Sequence, residues 1–301
     1  MARDDSLLYR LRRKLQSILF KIAGATTVAK LHYYLVTHKK LYLKNPVTFN
    51  DKIQWLKLNY FPDDSLAIKC SDKYRVREYI SQKGYAHLLN NLIGVWNKPE
   101  EIDWEKLPNQ FVIKCNHGCA YNLICDNKSN FDIDYAKKKL NQWLGENFGE
   151  FNGETHYDKI DKKIICEEYL GSRLRDYKFF CFDGKPEFFY VSSDLSLPGK
   201  ERVTYYNTDS SVAPFQDHHY HQLEKEADLS KLKEMLKIAS DLSEGFPLVR
   251  VDLFLTETNK IYFSEMTFIP AAGAIELNPP VWNYRLADLI DLENLSKNGN
   301  D

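Results

Sequence analysis

The stretch LVRVDLFLTETNKIYFSEMTF, residues 248–268, constrains this chain more than any other segment. Two runs of alternating apolar and polar residues flank a polar turn, the pattern of a β-hairpin. A turn centred on Thr258-Asn259 pairs Asp252 with Glu265, Arg250 with Thr267, and Phe254 with Phe263. With a side-chain period of two, Val249, Val251, Leu253 and Leu255 line one face, and Arg250, Asp252 and Phe254 the other. Directly opposed residues hold their Cβ atoms about 4.5–5.5 Å apart, so two carboxylates there repel unless a cation lies beside them. Two readings meet that need. Arg250 makes the cluster a structural ion pair, or a Mg²⁺ ion makes it a metal site, because sheet-mounted carboxylates are hard oxygen ligands that bridge such an ion to substrate phosphate.

Around the hairpin, the pattern predicts helices at about 50–60 and 72–83, the second capped by Ser71 or Asp72. Strands at 111–115 and 121–125 precede a helix at about 134–148. Further strands follow at 163–169, 177–182, 187–193 and 202–207, with Asp183-Gly184 turning one hairpin. A helix at 229–243 leads into the carboxylate hairpin, and a helix near 284–294 closes the chain. Runs of strands broken by single helices predict an α+β body with antiparallel sheets.

FVIKCNHGCAYNLIC, residues 111–125, sets Lys114 at the end of an apolar strand before a loop holding Asn116, His117 and Gly118. A lysine entering a small-residue loop supplies a point charge and approachable backbone N–H groups, as a phosphate requires. Taken singly, His117 reads as a surface loop histidine and Lys73, in SDKYRVREY, as a solvated helix cation. Lys178, in DYKFFCF, shares a strand face with Asp176 and Phe180, so an ion pair with Asp176 is its plain explanation. KIICEEYL, residues 163–170, leaves its strand through Glu167, Glu168, Tyr169 and Leu170, and exposed backbone at such a junction either reads an adenine edge or is an ordinary connection.

Of the 301 residues, 44% are hydrophobic and 28% charged, enough apolar surface to offset chain entropy, which excludes disordered and low-complexity classes. The formal charge of −1 hides an asymmetry: residues 1–44 carry +8 and the remainder −9. Leu8, Leu11, Leu15, Ile18 and Ile22 recur at helical spacing, with Arg10, Arg12, Arg13, Lys14 and Lys21 spread around them. Such a basic arm either packs on the body, whose acidic surface is a ready electrostatic partner, or lies on an anionic membrane surface with its apolar side down. Nothing in it reads as a nucleic-acid module. Six cysteines without a C-x-x-C pair sit in apolar stretches, which predicts reduced core thiols in a cytosolic protein. Asp4, Asp5, Lys21 and Lys30 argue against a secretory signal. In His218-His219-Tyr220-His221 only His219 and His221 would share a strand face, and a solvated loop is predicted.

Taken in order, TFNDKIQWLKL, SDKYRVREY, FVIKCNHG, EEYL, DYKFFCFDGKP, VRVDLFL and IYFSEMTFIPAAG resemble the TupA-like ATP-grasp family over roughly residues 45–290. That family is named for teichuronopeptide synthesis and is often encoded with bacterial surface-polysaccharide genes. The resemblance implies an ATP-grasp fold: an α+β body whose two subdomains, 45–166 and 167–301, sandwich ATP, preceded by the basic helical arm at 1–44. It implies ATP phosphates at Lys114 and Lys178, with Lys73 beside them and His117 and Gly118 in the phosphate loop. Adenine would meet the backbone of Glu167, Glu168 and Leu170, and ribose would meet Asp176. Asp252, Glu265 and Thr267 would hold one or two Mg²⁺ ions, while Arg250 and Lys178 act on the transferring phosphoryl group. Thr267 stands where many such ligases carry Asn, and Cys119-Ala120 where Ser-Gly is usual.

The reaction implied is carboxylate–amine ligation through an acyl phosphate. The implied substrates are a uronic acid of a surface polysaccharide and an amino acid or small amine. The implied setting is cytoplasmic, with the arm in peripheral contact with the inner membrane face. Two other functions stay open on the same features: a sugar or small-molecule kinase, and a non-catalytic nucleotide- or glycan-binding protein.

Overall fold

The computed structural model describes residues 7–193, 201–225 and 227–297. Helix α1 (Leu7–Thr37) is kinked at Gly24, whose φ of 75° and ψ of 174° suit only glycine. Before the kink the helix meets the body with its polar side. Gln16 Nε2 donates to the Phe151 carbonyl at 2.8 Å, Ser17 Oγ donates to Glu150 at 2.5 Å, and the Arg13 guanidinium stacks 3.7 Å above the Phe151 ring. The apolar stripe consequently turns outward, with Leu11, Leu15, Ile18 and Ile22 at 50%, 66%, 45% and 80% exposure. The arm therefore packs on the body, through its polar side and not its stripe: residues 150 and 151 offer a carboxylate, a carbonyl and a ring face, and the helix is turned to satisfy them. After the kink, Val28, Ala29 and Tyr33 are buried.

Helix α2 (Phe49–Asn59) starts at a capping box between Thr48 and Asp51 and buries Phe49, Ile53 and Leu56. The helix predicted at 72–83 starts only at Val76, as α4 (Val76–Gln82), and a separate short helix, α3 (Ser65–Ser71), precedes it. Asp72 separates them, because its Oδ1 accepts from the N–H groups of Tyr74 and Arg75 at 2.8 and 3.2 Å and bends the chain into a turn. Lys73 lies in that turn, not on a helix face.

The first sheet contains β1 (Leu92–Trp96), β2 (Phe111–Cys115), β3 (Asn122–Cys125) and, after helix α5 (Ile133–Leu144), β4 (Ile164–Glu168). Its order is β1-β4-β2-β3 and every pair is antiparallel. The second sheet begins with β5 (Arg175–Phe182), β6 (Lys185–Ser193) and β7 (Arg202–Asn207). The two-residue strand β8 (Gln216–Asp217) and helix α6 (Leu232–Ser243) follow, then β9 (Val249–Leu255) and β10 (Ile261–Thr267). The order β10-β9-β5-β6-β7 is again antiparallel throughout, so the predicted α+β class holds. Helix α6 buries Met235, Ile238, Ala239 and Leu242 in the same core as Val249, Val251, Leu253 and Leu255, leaving the opposite sheet face for polar groups.

After β11 (Leu277–Asn278), the helix predicted near 284–294 breaks into α7 (Trp282–Arg285) and α8 (Leu292–Lys297). Ile290 is extended, and Asp291 Oδ1 accepts from the N–H groups of Glu293 and Asn294, starting a new helix.

Candidate active site

The site is built on the second sheet's polar face. Asp252 pairs with Glu265 and Arg250 with Thr267, as expected, but Phe254 faces Tyr262 rather than Phe263. The turn is not the two-residue one: the Asn259 N–H donates to the Thr256 carbonyl at 3.0 Å and Asn259 takes a left-handed φ of 56°, closing a longer loop. A bulge between Phe263 and Glu265 then restores the register at the carboxylates. The neighbouring strand β5 sets Lys178 directly across from Asp252.

These three strands join five charges in one chain, of which Asp176, Lys178, Asp252 and Arg250 are buried and Glu265 is half-buried. Lys178 Nζ lies 2.5 Å from Asp176 and 2.6 Å from Asp252. Arg250 grips Asp252 with both prongs, Nε on Oδ1 and Nη2 on Oδ2, each at 2.7 Å. Its Nη2 also donates to Thr267 Oγ1 at 3.0 Å and stands 3.8 Å from Glu265. Lys73 Nζ reaches Glu265 at 3.5 Å and donates to the Gly118 carbonyl at 2.9 Å. The pair of Lys178 with Asp176 is thus real, and so is the structural ion pair of Arg250 with Asp252.

Burial pushes the Asp176 carboxyl above its usual range even against Lys178. For Lys178 burial works the other way, yet Asp176 and Asp252 outweigh it and hold the ammonium charged. Burial also opposes ionisation of Glu265, but Lys73, Lys178 and Arg250 prevail and lower it to about 2.

A cavity of about 410 Å³ opens between the two sheets. Val112 and Ile124 face it from the first sheet, Leu174, Phe254 and Phe263 from the other side, and Lys73, Lys114, Lys178 and Glu265 line its polar end. Two acceptors in its wall, Asp176 Oδ1 and Asn122 Oδ1, are buried without a partner among the described residues, so the cavity presents lone pairs to a donor.

The other predicted residues divide. Lys114 lines the cavity but is tied at 2.6 Å to Glu167, whose second oxygen accepts from Arg77 at 3.1 Å. Glu168 has both backbone groups engaged: its N–H donates to the Asn91 carbonyl and its carbonyl accepts from Asn90 Nδ2. Tyr169 and Leu170, which follow β4 along the cavity rim, make no backbone hydrogen bond among the described residues. The open edge is therefore one or two residues later than Glu167–Glu168.

His117 departs furthest from expectation. It is fully buried, Nε2 lies 3.0 Å from the Trp143 carbonyl, and its ring meets Tyr121 edge-on, so it is a core residue and not a cavity wall. Gly118 has a φ of 90°, and a Cβ there would lie 2.5 Å from the Phe148 ring. Gly118→Ala is expected to destabilise the protein by roughly 2–4 kcal/mol, combining left-handed strain with overpacking, as urea unfolding would register. Ala120, where glycine was expected, is left-handed at φ 59°. Arg77 escaped the sequence reading, because its contact with Glu167 joins α4 to β4 across 90 residues of sequence. In the histidine cluster, His219 Nδ1 pairs with Asp217 at 2.8 Å and gathers with His218 rather than with His221.

Mg²⁺ suits the donors present. Asp252 accepts three hydrogen bonds and keeps one lone-pair direction on Oδ1. Glu265 has its nearest charged partners at 3.5 and 3.8 Å, so its oxygens are available, and Thr267 adds a hydroxyl. Two hard carboxylates with few protein ligands match an ion shared with phosphate.

Two antiparallel sheets closing on a cleft, with lysines and paired carboxylates at its polar end, make this an ATP-grasp fold. Within that class the TupA-like ATPgrasp family profile matches residues 51–290, and the chain belongs to that family. No curated protein matches the sequence. Among solved structures, D-alanine–D-alanine ligase from Bacillus anthracis with ATP is similar at a TM-score of 0.43 and 17% identity, over 73% of this chain and 64% of its own. N5-carboxyaminoimidazole synthase from Aspergillus clavatus with ADP aligns at 0.42 and 12%, over 67% and 45%. An L-amino acid ligase from Bacillus licheniformis aligns at 0.41 and 17%, over 69% and 42%. The chain spans less than two thirds of the length of each of these proteins.

Proposed function

We propose that this protein is an ATP-dependent carboxylate–amine ligase that releases ADP, and that its carboxylate is a uronic acid of a bacterial surface polysaccharide. The observation that carries the reading is the buried chain Asp176–Lys178–Asp252–Arg250 with Glu265 at the polar end of the cleft. Adenine lies between the apolar walls with its edge on the backbone of Tyr169 and Leu170, and the unpartnered Asp176 Oδ1 accepts from a ribose hydroxyl. The phosphates run toward Lys73, Lys114 and Lys178. Asp252, Glu265 and Thr267 would hold Mg²⁺, which would offset charge on the phosphate oxygens.

The substrate carboxylate attacks the γ-phosphorus and the bond to ADP breaks. Arg250, fixed by its two-pronged grip on Asp252, faces the charge that develops on the transferring group without having to reorganise. The amine then attacks the acyl carbon, loses a proton, and phosphate departs. Incubation with ATP, Mg²⁺ and panels of uronates and amines should release ADP and free phosphate in equal amounts, and hydroxylamine should trap a hydroxamate. AMP release, or ADP without free phosphate, would overturn the reading, the second result in favour of a kinase.

The outward stripe of α1 supports peripheral membrane contact, since Leu11, Leu15, Ile18 and Ile22 are exposed beside Lys14 and Lys21. Among the described residues, no helix is long and apolar enough to cross a membrane. Liposomes with anionic lipid should bind the protein more weakly at high salt, and Leu15→Glu with Ile22→Glu should abolish binding. Equal binding by that variant would remove the stripe from the interaction.

A further inference from the structure

A second cavity, of about 500 Å³, shares Glu265 with the first and lies beneath α1. Its inner end is formed by Arg250, Glu265 and Thr267, and its outer end by Arg12 and Arg13. Its floor includes Ala271 and Ala272, consecutive alanines in left-handed backbone at φ 49° and 53°. Buried Gln54 and Lys57 hold that strained loop, donating to the Ala272 carbonyl at 3.0 and 3.2 Å. Strain persists where the surroundings over-determine it, and it concentrates at ligand-clamping sites.

The two outer arginines differ in state. Arg13 is fixed against the Phe151 ring and by its Nε, which donates to the Tyr9 hydroxyl at 2.9 Å. Arg12 lines the same cavity, and among the described residues it makes no hydrogen bond or ion pair. The positive field of this end is felt by His32 in the same wall, held down to about 4 by burial first and then by Lys57, Arg12 and Arg13.

We propose that this second cavity is the acceptor site and that it selects a dianionic acceptor: the reacting carboxylate at Arg250, and a second anionic group, carboxylate or phosphate, at Arg12 and Arg13. The assignment of the inner end rests on the ligase reading, while the outer anion site stands on the arginines alone. Arg12 and Arg13 are positioning and specificity residues, distant from the bonds that change. A monocarboxylate fills only the inner end, so it binds more weakly than a dianion of similar length.

Phenylglyoxal labelling of the full chain with Mg²⁺ and a non-hydrolysable ATP analogue, read by peptide mass spectrometry, tests this. Arg10, exposed on the same helix, is the internal reference. Glutarate or 3-phosphoglycerate should slow labelling of Arg12 and Arg13 about tenfold, butyrate should not, and Arg10 should be indifferent. Protection by glutarate identifies a second carboxylate, and protection by 3-phosphoglycerate alone identifies a phosphate. Arg12→Gln should weaken binding of the protecting probe by about tenfold while leaving affinity for the nucleotide analogue unchanged. Labelling of Arg12 and Arg13 that no dianion alters, or unchanged probe affinity in Arg12→Gln, overturns the proposal. Failure of the nucleotide analogue to bind the wild-type protein would instead overturn the ligase reading, and protection of Arg12 and Arg13 would still establish the anion site.

Discussion

Asp252→Asn should lower Mg²⁺-dependent ADP formation by at least about a thousandfold, the scale of losing one preorganised electrostatic partner and a metal ligand together. Asp252 is fully buried, faces Glu265 across the hairpin, and accepts from Arg250 and Lys178 at 2.6–2.7 Å. Asparagine keeps the shape and one acceptor but removes the charge. Lys178 retains Asp176 at 2.5 Å, whereas Arg250 is left with Thr267 and a carboxylate at 3.8 Å. Breaking a buried pair costs up to about 3–5 kcal/mol, so the variant melts earlier and its activity is to be expressed per folded molecule. Glu265→Gln separates the two effects. Its side chain is 30% exposed and more loosely paired, so it should lose activity with little change in stability. ADP formation within tenfold of wild type in both variants would remove the carboxylate pair from the chemistry.

Acid should destabilise the fold well before Glu265 is protonated. His117 and His156 are fully buried, and His156 has no partner on either ring nitrogen among the described residues. Burial lowers His117 to about 4 and His156 to about 3, against an ordinary value of 6.5. Below pH 6.5 the unfolded chain takes up protons that the folded chain refuses, so stability falls from that point until the folded values are reached. At pH 5 each histidine costs about 2 kcal/mol, or about 4 kcal/mol for the two. Glu265, lowered to about 2, has the opposite sign: its contribution is present above pH 4.5 and is lost only below it. Urea unfolding at pH 7.5 and pH 5 measures the combined pH dependence, and His156→Phe should reduce the loss at pH 5 by about 2 kcal/mol. An unchanged pH dependence in that variant would mean that His156 titrates normally.

The hairpin was legible because one face of β9 packs in the core, which fixes the alternation and with it the opposition of Asp252 and Glu265. The bulge was not, since nothing local distinguishes Ser264 from a paired residue. The third member of the cluster depended on sheet order: only the adjacency of β5 and β9 brings Lys178 to Asp252, across 74 residues of sequence. Strand β1 escaped because all five residues are half-buried, so no alternation marks it. Lys73 was misplaced because one side chain, Asp72, ends a pattern that otherwise reads as helix. For α1 the stripe itself was plain in the sequence, while the face that docks was decided by Glu150 and Phe151, more than a hundred residues away.

The kinked first helix has opposite sides: cations over the second cavity, the proposed acceptor site, and leucines and isoleucines toward the outside. Whatever settles on one side restrains the same turns of backbone that the other side needs held still. Thermodynamic linkage then makes the two occupancies reciprocal, so any factor by which a bilayer tightens acceptor binding is the factor by which the acceptor tightens bilayer binding. An acceptor already anchored in lipid would meet a helix ordered in advance, and the same sugar acid free in solution would not.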